Sequence, residues 1–151
     1  MAHYLTQTVM GCIGAVCFAV LFNVRGKRLL LIALASALSW LGYVLCDMHG
    51  SGLFWAIFCG TTVAGMISEV LARVVKVPVL MLLVPTLIPL IPGGDLYYMM
   101  SYLVRGSHDA FLNSAQLLIV EAGAIALGII CSAWVTSIVL SLRTRLHSRH
   151  P

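Results

Sequence analysis

The chain has 151 residues, 61% of them hydrophobic and only 9% charged, with a mean hydropathy of +1.03 and a net charge of +4. Soluble domains carry roughly 25% charged residues, so this composition excludes an ordinary soluble protein and indicates an integral membrane protein in contact with a lipid bilayer. The positive excess sits in short polar segments between apolar runs, which gives no reason to expect a nucleic-acid partner.

In chain order, span 1 is expected over 4–22. At 1.5 Å per residue it covers about 28 Å, close to a hydrocarbon core of about 30 Å. No basic region precedes it, and it is too long for a signal-peptide core, so it reads as a retained span. Gly11 and Gly14 allow another helix to come close. Arg25, Lys27 and Arg28 come next. Span 2 is expected over 29–46, with small residues for packing at Ala33, Ala35, Ala37, Ser39 and Gly42, and with Trp40 and Tyr43 as interfacial anchors. Span 3 is expected over 53–70, with Thr61, Gly65, Ser68 and Ala72 on one small, polar face and Glu69 beside it.

Span 4, over about 77–103, is interrupted. Pro78, Pro85, Pro89 and Pro92 fall within it, and Pro92 is followed by Gly93 and Gly94. Each interior proline removes a backbone donor and clashes with the carbonyl one turn back. The expected pieces are 77–91 and 96–105. In hydrocarbon, freed backbone groups survive only inside protein or beside a watery cavity, and transporters place binding sites in such interrupted spans. Asn113 and Gln116 resemble a capping box before span 5, expected over 114–142. Within span 5, Ala124, Gly128, Ser132 and Thr136 recur every four residues and form a packing seam. A basic tail occupies 143–151. The whole chain is therefore expected to be one all-α transmembrane domain of about five helices, the fourth broken by Pro and Gly.

With five spans, Arg25, Lys27, Arg28, Arg73, Lys76, Arg143, Arg145 and Arg149 share one side, and only Arg105 falls on the other. The positive-inside rule then puts the N-terminus outside and the C-terminus and its tail in the cytoplasm.

Two carboxylates fall inside expected spans. A charge at a helix centre costs about 2.5–3.5 kcal/mol on insertion scales, which makes both functional candidates. Glu69 either pairs with Arg73 one turn on or lines a path. Glu121 faces the packing seam, and either snorkels to the outer surface or carries a coupling proton. Asp95 is positioned to cap a helix starting at Leu96, where backbone donors near Gly93 and Gly94 favour a substrate carboxylate. Asp95 would repel a simple dicarboxylate and attract an ammonium, so a zwitterion suits this site best. The five cysteines (12, 17, 46, 59, 131) show no CxxC or zinc-ligand spacing and read as small buried apolar residues. The five histidines share no helix face with a co-ligand. No metal, cofactor or catalytic constellation is expected, and nothing supports an enzyme.

Asn23, after Phe22 and before a basic turn, and the segment 88–94 with Tyr97 close behind, together resemble the threonine/serine exporter (ThrE) family. The likeness is to its C-terminal membrane half, in many bacteria a separate small subunit of the YjjB type in a YjjP/YjjB pair. The resemblance implies a bacterial inner-membrane subunit that exports threonine and serine, driven by the proton-motive force. It implies a second membrane subunit similar to the N-terminal half. The residues carried over by motif are Asn23, Pro89, Pro92, Gly93 and Tyr97. Family members vary after the Pro-Gly, and Gly94 with Asp95 is one version of that variable part. Split pairs of this kind are also associated with succinate export, so a small dicarboxylate is an alternative substrate. Two rival readings are a non-transporting accessory subunit and a homo-oligomeric channel.

Overall fold

The computed structural model describes residues 2–147, and side chains over 4–141. The side chains of Arg143, Arg145 and Arg149, expected in the tail, lie outside the described residues. The helices are α1 (Ala2–Leu21), α2 (Lys27–Met48), α3 (Leu53–Val75), α4 (Val79–Leu87), α5 (Gly93–Val104) and α6 (His108–His147), with a 3₁₀ turn at Ile88–Leu90. Among the described residues there is no strand, so the protein is all-α. Four helices are long and apolar enough to cross a membrane. A fifth crossing results if α4 with the 3₁₀ turn and α5, which meet at a bend of 63°, count as one broken span.

Local chemistry fixes the helix ends. Asn23 has φ 59°, its N–H donates to Val20 O at 2.9 Å, and the N–H of Val24 reaches Ala19 O at 3.0 Å. This is a Schellman motif, with asparagine at the left-handed position that glycine usually takes. The end of α5 repeats it: Gly106 has φ 71° and donates to Leu103 O, while Ser107 donates to Tyr102 O. The reversal is so tight that α6 starts at once, at His108. Asn113 therefore lies inside α6, and the expected capping box is not formed. Asp95 also differs from expectation. The helix begins at Gly93 behind Pro92, which puts Asp95 in the first turn and not at the cap. The reason is that Pro92 is the last residue lacking an N–H, and a carboxylate is favourable anywhere in the first turn.

The break itself is proline chemistry. Pro85 sits inside α4, where it cannot donate to the carbonyl one turn back. The Thr86 hydroxyl donates to Leu82 O at 2.8 Å, so that side chain spends its hydroxyl on the same turn. Pro89 and Pro92 remove two more donors. The chain tightens to 3₁₀, where Ile91 N–H reaches Ile88 O, and then turns through Gly93 N–H to Ile91 O at 2.7 Å.

Helix α3 is central, touching α2, α4 and α6, while the broken segment wedges against α1, α2 and α3. Lipid tails are as apolar as leucine, so close packing has to hold helices together in a bilayer. Small residues provide it. On α3, Thr61 faces Gly128 and Gly65 faces Ser132 of the α6 seam, in which Ala124, Ser132 and Thr136 are all buried. A Cβ on Gly128 would lie 2.8 Å from Thr61 Cβ and 3.0 Å from Phe58 O. Gly11 lets α1 rest on the ring of Pro89, where a Cβ would sit 2.9 Å from the proline Cβ. The Ser39 hydroxyl donates to Gly60 O at 2.9 Å and ties α2 to α3. One core cluster joins Ala15, Ala19, Val24, Ile32, Ala72 and Leu82, and a second joins Ala64, Leu83, Leu87 and Leu90. Helix α5 buries no residue and packs on α6.

Candidate functional site

Where the broken segment leaves α4, it walls a cavity of about 130 Å³. Pro89, Leu90, Ile91 and Pro92 form one side, Trp40 and Tyr43 of α2 a second, Leu53 and Ile57 of α3 a third, and Glu121 of α6 closes it. The cavity exists because prolines hold this backbone away from a regular helix and cannot close up against it.

Glu121 is the polar feature of this site. It is only 4% exposed, and its Oε2 has no hydrogen-bond partner. The Asp95 carboxyl on α5 is its acidic neighbour. Carboxyl groups brought together in this way favour a cation bound at Glu121. The rings of Trp40 and Tyr43 stack beside it, with centroids 4.8 Å apart. The Trp40 Nε1 is buried and also without a partner. An aromatic face next to carboxylates is suited to an ammonium group.

Of the residues singled out in the sequence, Pro89, Pro92 and Glu121 line the cavity, and Asp95 adjoins it through Glu121. Gly93 and Gly94 stand at the first turn of α5 facing open space, since a Cβ on either would meet nothing within 4 Å. The Gly93 N–H is already committed to Ile91 O, which leaves Gly94 as the glycine donor there. Tyr97 is 68% exposed and belongs to a separate shallow groove with Met100, Ser101, Val104 and Arg105. Asn23 is not brought to the cavity. It lies two residues past the end of α1, and the helix from Gly11, the residue against Pro89, to Leu21 already spans about 15 Å. Glu69 is 12 residues along α3 from Ile57, about 18 Å away. There it forms an ion pair of 2.7 Å with Arg73.

Trp40 and Tyr43, expected as interfacial anchors, line the cavity wall. The signal was present: Ser36, Ser39, Trp40 and Tyr43 recur at helical spacing, and polar groups on a lipid-embedded helix point inward. A larger groove of about 500 Å³, lined by Phe54, Trp55, Phe58, Leu127, Ile130, Cys131, Trp134, Val135 and Ile138, offers a ligand no charged or hydroxyl group.

A multi-pass helical membrane protein with a broken helix beside a buried carboxyl has the architecture of a transporter. The family described as "Threonine/Serine exporter, ThrE" matches residues 7–135, and the chain belongs to it. It is a threonine/serine exporter-type membrane protein. Comparisons with curated proteins and with solved structures gave no match.

Proposed function

We propose that this chain is one subunit of a secondary exporter for threonine and serine in the bacterial inner membrane, with its N-terminus outside and its C-terminus in the cytoplasm. It acts with a second membrane subunit that resembles the N-terminal half of the family, and the proton-motive force drives it. The observation that carries the reading is Glu121: a buried carboxyl with a free oxygen, in a cavity walled by the broken span and in reach of Asp95. The amino-acid ammonium takes the carboxyl pair, beside the Trp40 ring. The substrate carboxylate takes the first-turn amides of α5 at Gly94. A coupling proton on Glu121 competes with the ammonium for the same oxygens. Binding one releases the other, which is the exchange that proton-driven export requires. A dicarboxylate is disfavoured, because it brings no cation to this pair. Helix α5, with no buried residue, supports a partner subunit that covers its free faces.

The test is efflux from cells preloaded with threonine or serine, expressing this chain with its partner, with and without an uncoupler. Glu121→Gln should abolish uncoupler-sensitive efflux while the protein still reaches the membrane. Undiminished efflux from that variant, or flux from this chain alone without a proton gradient, would overturn the reading in favour of an accessory subunit or a channel.

A further inference from the structure

Of the five cysteines, two meet. Cys46, two residues before the end of α2, and Cys59, the seventh residue of α3, place their sulfurs 3.2 Å apart. Nothing in their spacing announces a pair, since twelve residues and a helix reversal separate them. The small residues of the α2–α3 interface bring them together. A Cβ on Gly42 would lie 3.2 Å from Val63 Cγ2, and one on Gly60 would lie 3.1 Å from both Ser39 O and Tyr43 Cβ. Cys46 is one turn beyond Gly42 and Cys59 adjoins Gly60, so both thiols inherit this close approach. Each is half-buried and open to small reagents near the end of the helical hairpin. The other thiols differ: Cys12 donates to Ala33 O, Cys17 is exposed, and Cys131 lines the apolar groove.

We propose that Cys46 and Cys59 are a redox-modification site at which a disulfide staples α2 to α3. A disulfide bond of about 2.05 Å requires the sulfurs to close by roughly 1.2 Å, within the reach of side-chain rotation. The oxidant is itself a disulfide, small or protein-borne. One cysteine thiolate attacks it and releases one thiol. The second cysteine then attacks the mixed disulfide and releases the other. Two electrons and two protons leave the cysteine pair and appear as two reduced thiols on the donor, so the exchange balances.

The staple would sit at the cavity. Tyr43 is one turn from Cys46, and Ile57 is two residues before Cys59, and both line the cavity wall. Oxidation pins these two helices together where they meet Leu90 of the broken segment, whose Cδ2 lies 3.2 Å from a Cβ placed on Gly60. If the exporter reading holds, α2 and α3 lose freedom to move apart there and transport slows on oxidation. That consequence rests on the proposed function; the disulfide does not.

The experiment equilibrates membranes containing the full chain with oxidised and reduced dithiothreitol in varied ratio, quenches in acid and alkylates the remaining thiols. Wild type should lose two alkylation sites together and yield one cross-linked peptide joining Cys46 to Cys59. Cys46→Ser and Cys59→Ser should each abolish that peptide, and Cys131→Ser should leave it intact. Five alkylated cysteines under full oxidation, or a cross-link through Cys12, Cys17 or Cys131, would overturn the proposal. An efflux assay on the same membranes is read separately. A disulfide without an effect on efflux keeps the site and counts against α2–α3 motion in transport.

Discussion

Helix α6 contains two glycines whose surroundings differ completely, and the same substitution at each should have opposite effects. A Cβ on Gly123 meets nothing within 4 Å. A Cβ on Gly128 meets Thr61 Cβ at 2.8 Å and the backbone oxygen of Phe58 at 3.0 Å. Carbon atoms in contact prefer about 3.5–4.0 Å, so α3 and α6 must part by roughly 0.7–1.2 Å to admit that methyl group. Overpacking of this kind costs about 1–3 kcal/mol. Alanine gains about 0.8–1.0 kcal/mol over glycine in a helix interior at either position, so the gain cancels in the comparison. Gly123→Ala should stabilise, and Gly128→Ala should fall below it by about 1–3 kcal/mol. The assay is unfolding in mixed micelles followed by far-UV circular dichroism, with both variants measured alongside wild type. Equal stability of the two variants would refute the close α3–α6 approach, and with it the packing seam on which the fold is built.

Particular contacts set the remaining expectations. Glu121→Gln should weaken retention of a bound amino acid by roughly 30-fold or more, since losing one partner of a buried charge pair costs about 2–5 kcal/mol; equilibrium binding to the purified subunit pair is the check. Arg73→Ala should change stability by no more than about 1 kcal/mol, because the Glu69–Arg73 pair is a partly exposed i,i+4 pair, and efflux should be unaffected if Glu69 stands apart from the site. Asn23→Gly should leave stability within a few tenths of a kcal/mol, whereas Asn23→Val should cost about 1–2 kcal/mol at the left-handed position. Loss of efflux in a stably folded Asn23→Gly protein would instead assign that side chain a direct role. Ser39→Ala should cost about 0.6 kcal/mol by removing the bond to Gly60 O, measurable in the same micelle assay.

The parts of this protein that sequence reasoning could see are those in which one segment carries its own constraint. The break in span 4 is legible because proline acts on its own backbone, whatever lies nearby. The seam of Ala124, Gly128, Ser132 and Thr136 is legible because helical periodicity puts the small residues on one face. Glu121 was legible because a carboxylate in an apolar run needs a reason. What escaped depends on meetings between segments. The Asp95–Glu121 contact, the cavity wall of Trp40 and Tyr43, and the Cys46–Cys59 pair all join residues on different helices, and no local pattern encodes those encounters. Asn113 shows the reverse failure. Its capping pattern was locally sound, but the Schellman turn at Gly106 had already begun the helix six residues earlier.

The length of α6 has a consequence for where the carboxyl pair lies in the bilayer. Over His108–Ser141 the apolar stretch has 34 residues, or about 51 Å of helix, against a hydrocarbon thickness of about 30 Å. Tilt alone would have to exceed the range of about 0–40° found for membrane helices. An upright α6 leaves about fourteen residues beyond the hydrocarbon. From 122 to 141 the sequence has no charged residue, whereas 108–121 includes His108, Asp109, Asn113, Gln116 and Glu121. The overhang therefore falls at the N-terminal end, the end on which α5 packs. Glu121, the last charged residue before that stretch, then stands at the end of the length the hydrocarbon has to accommodate, where the cost of keeping a carboxyl is lower than at the centre.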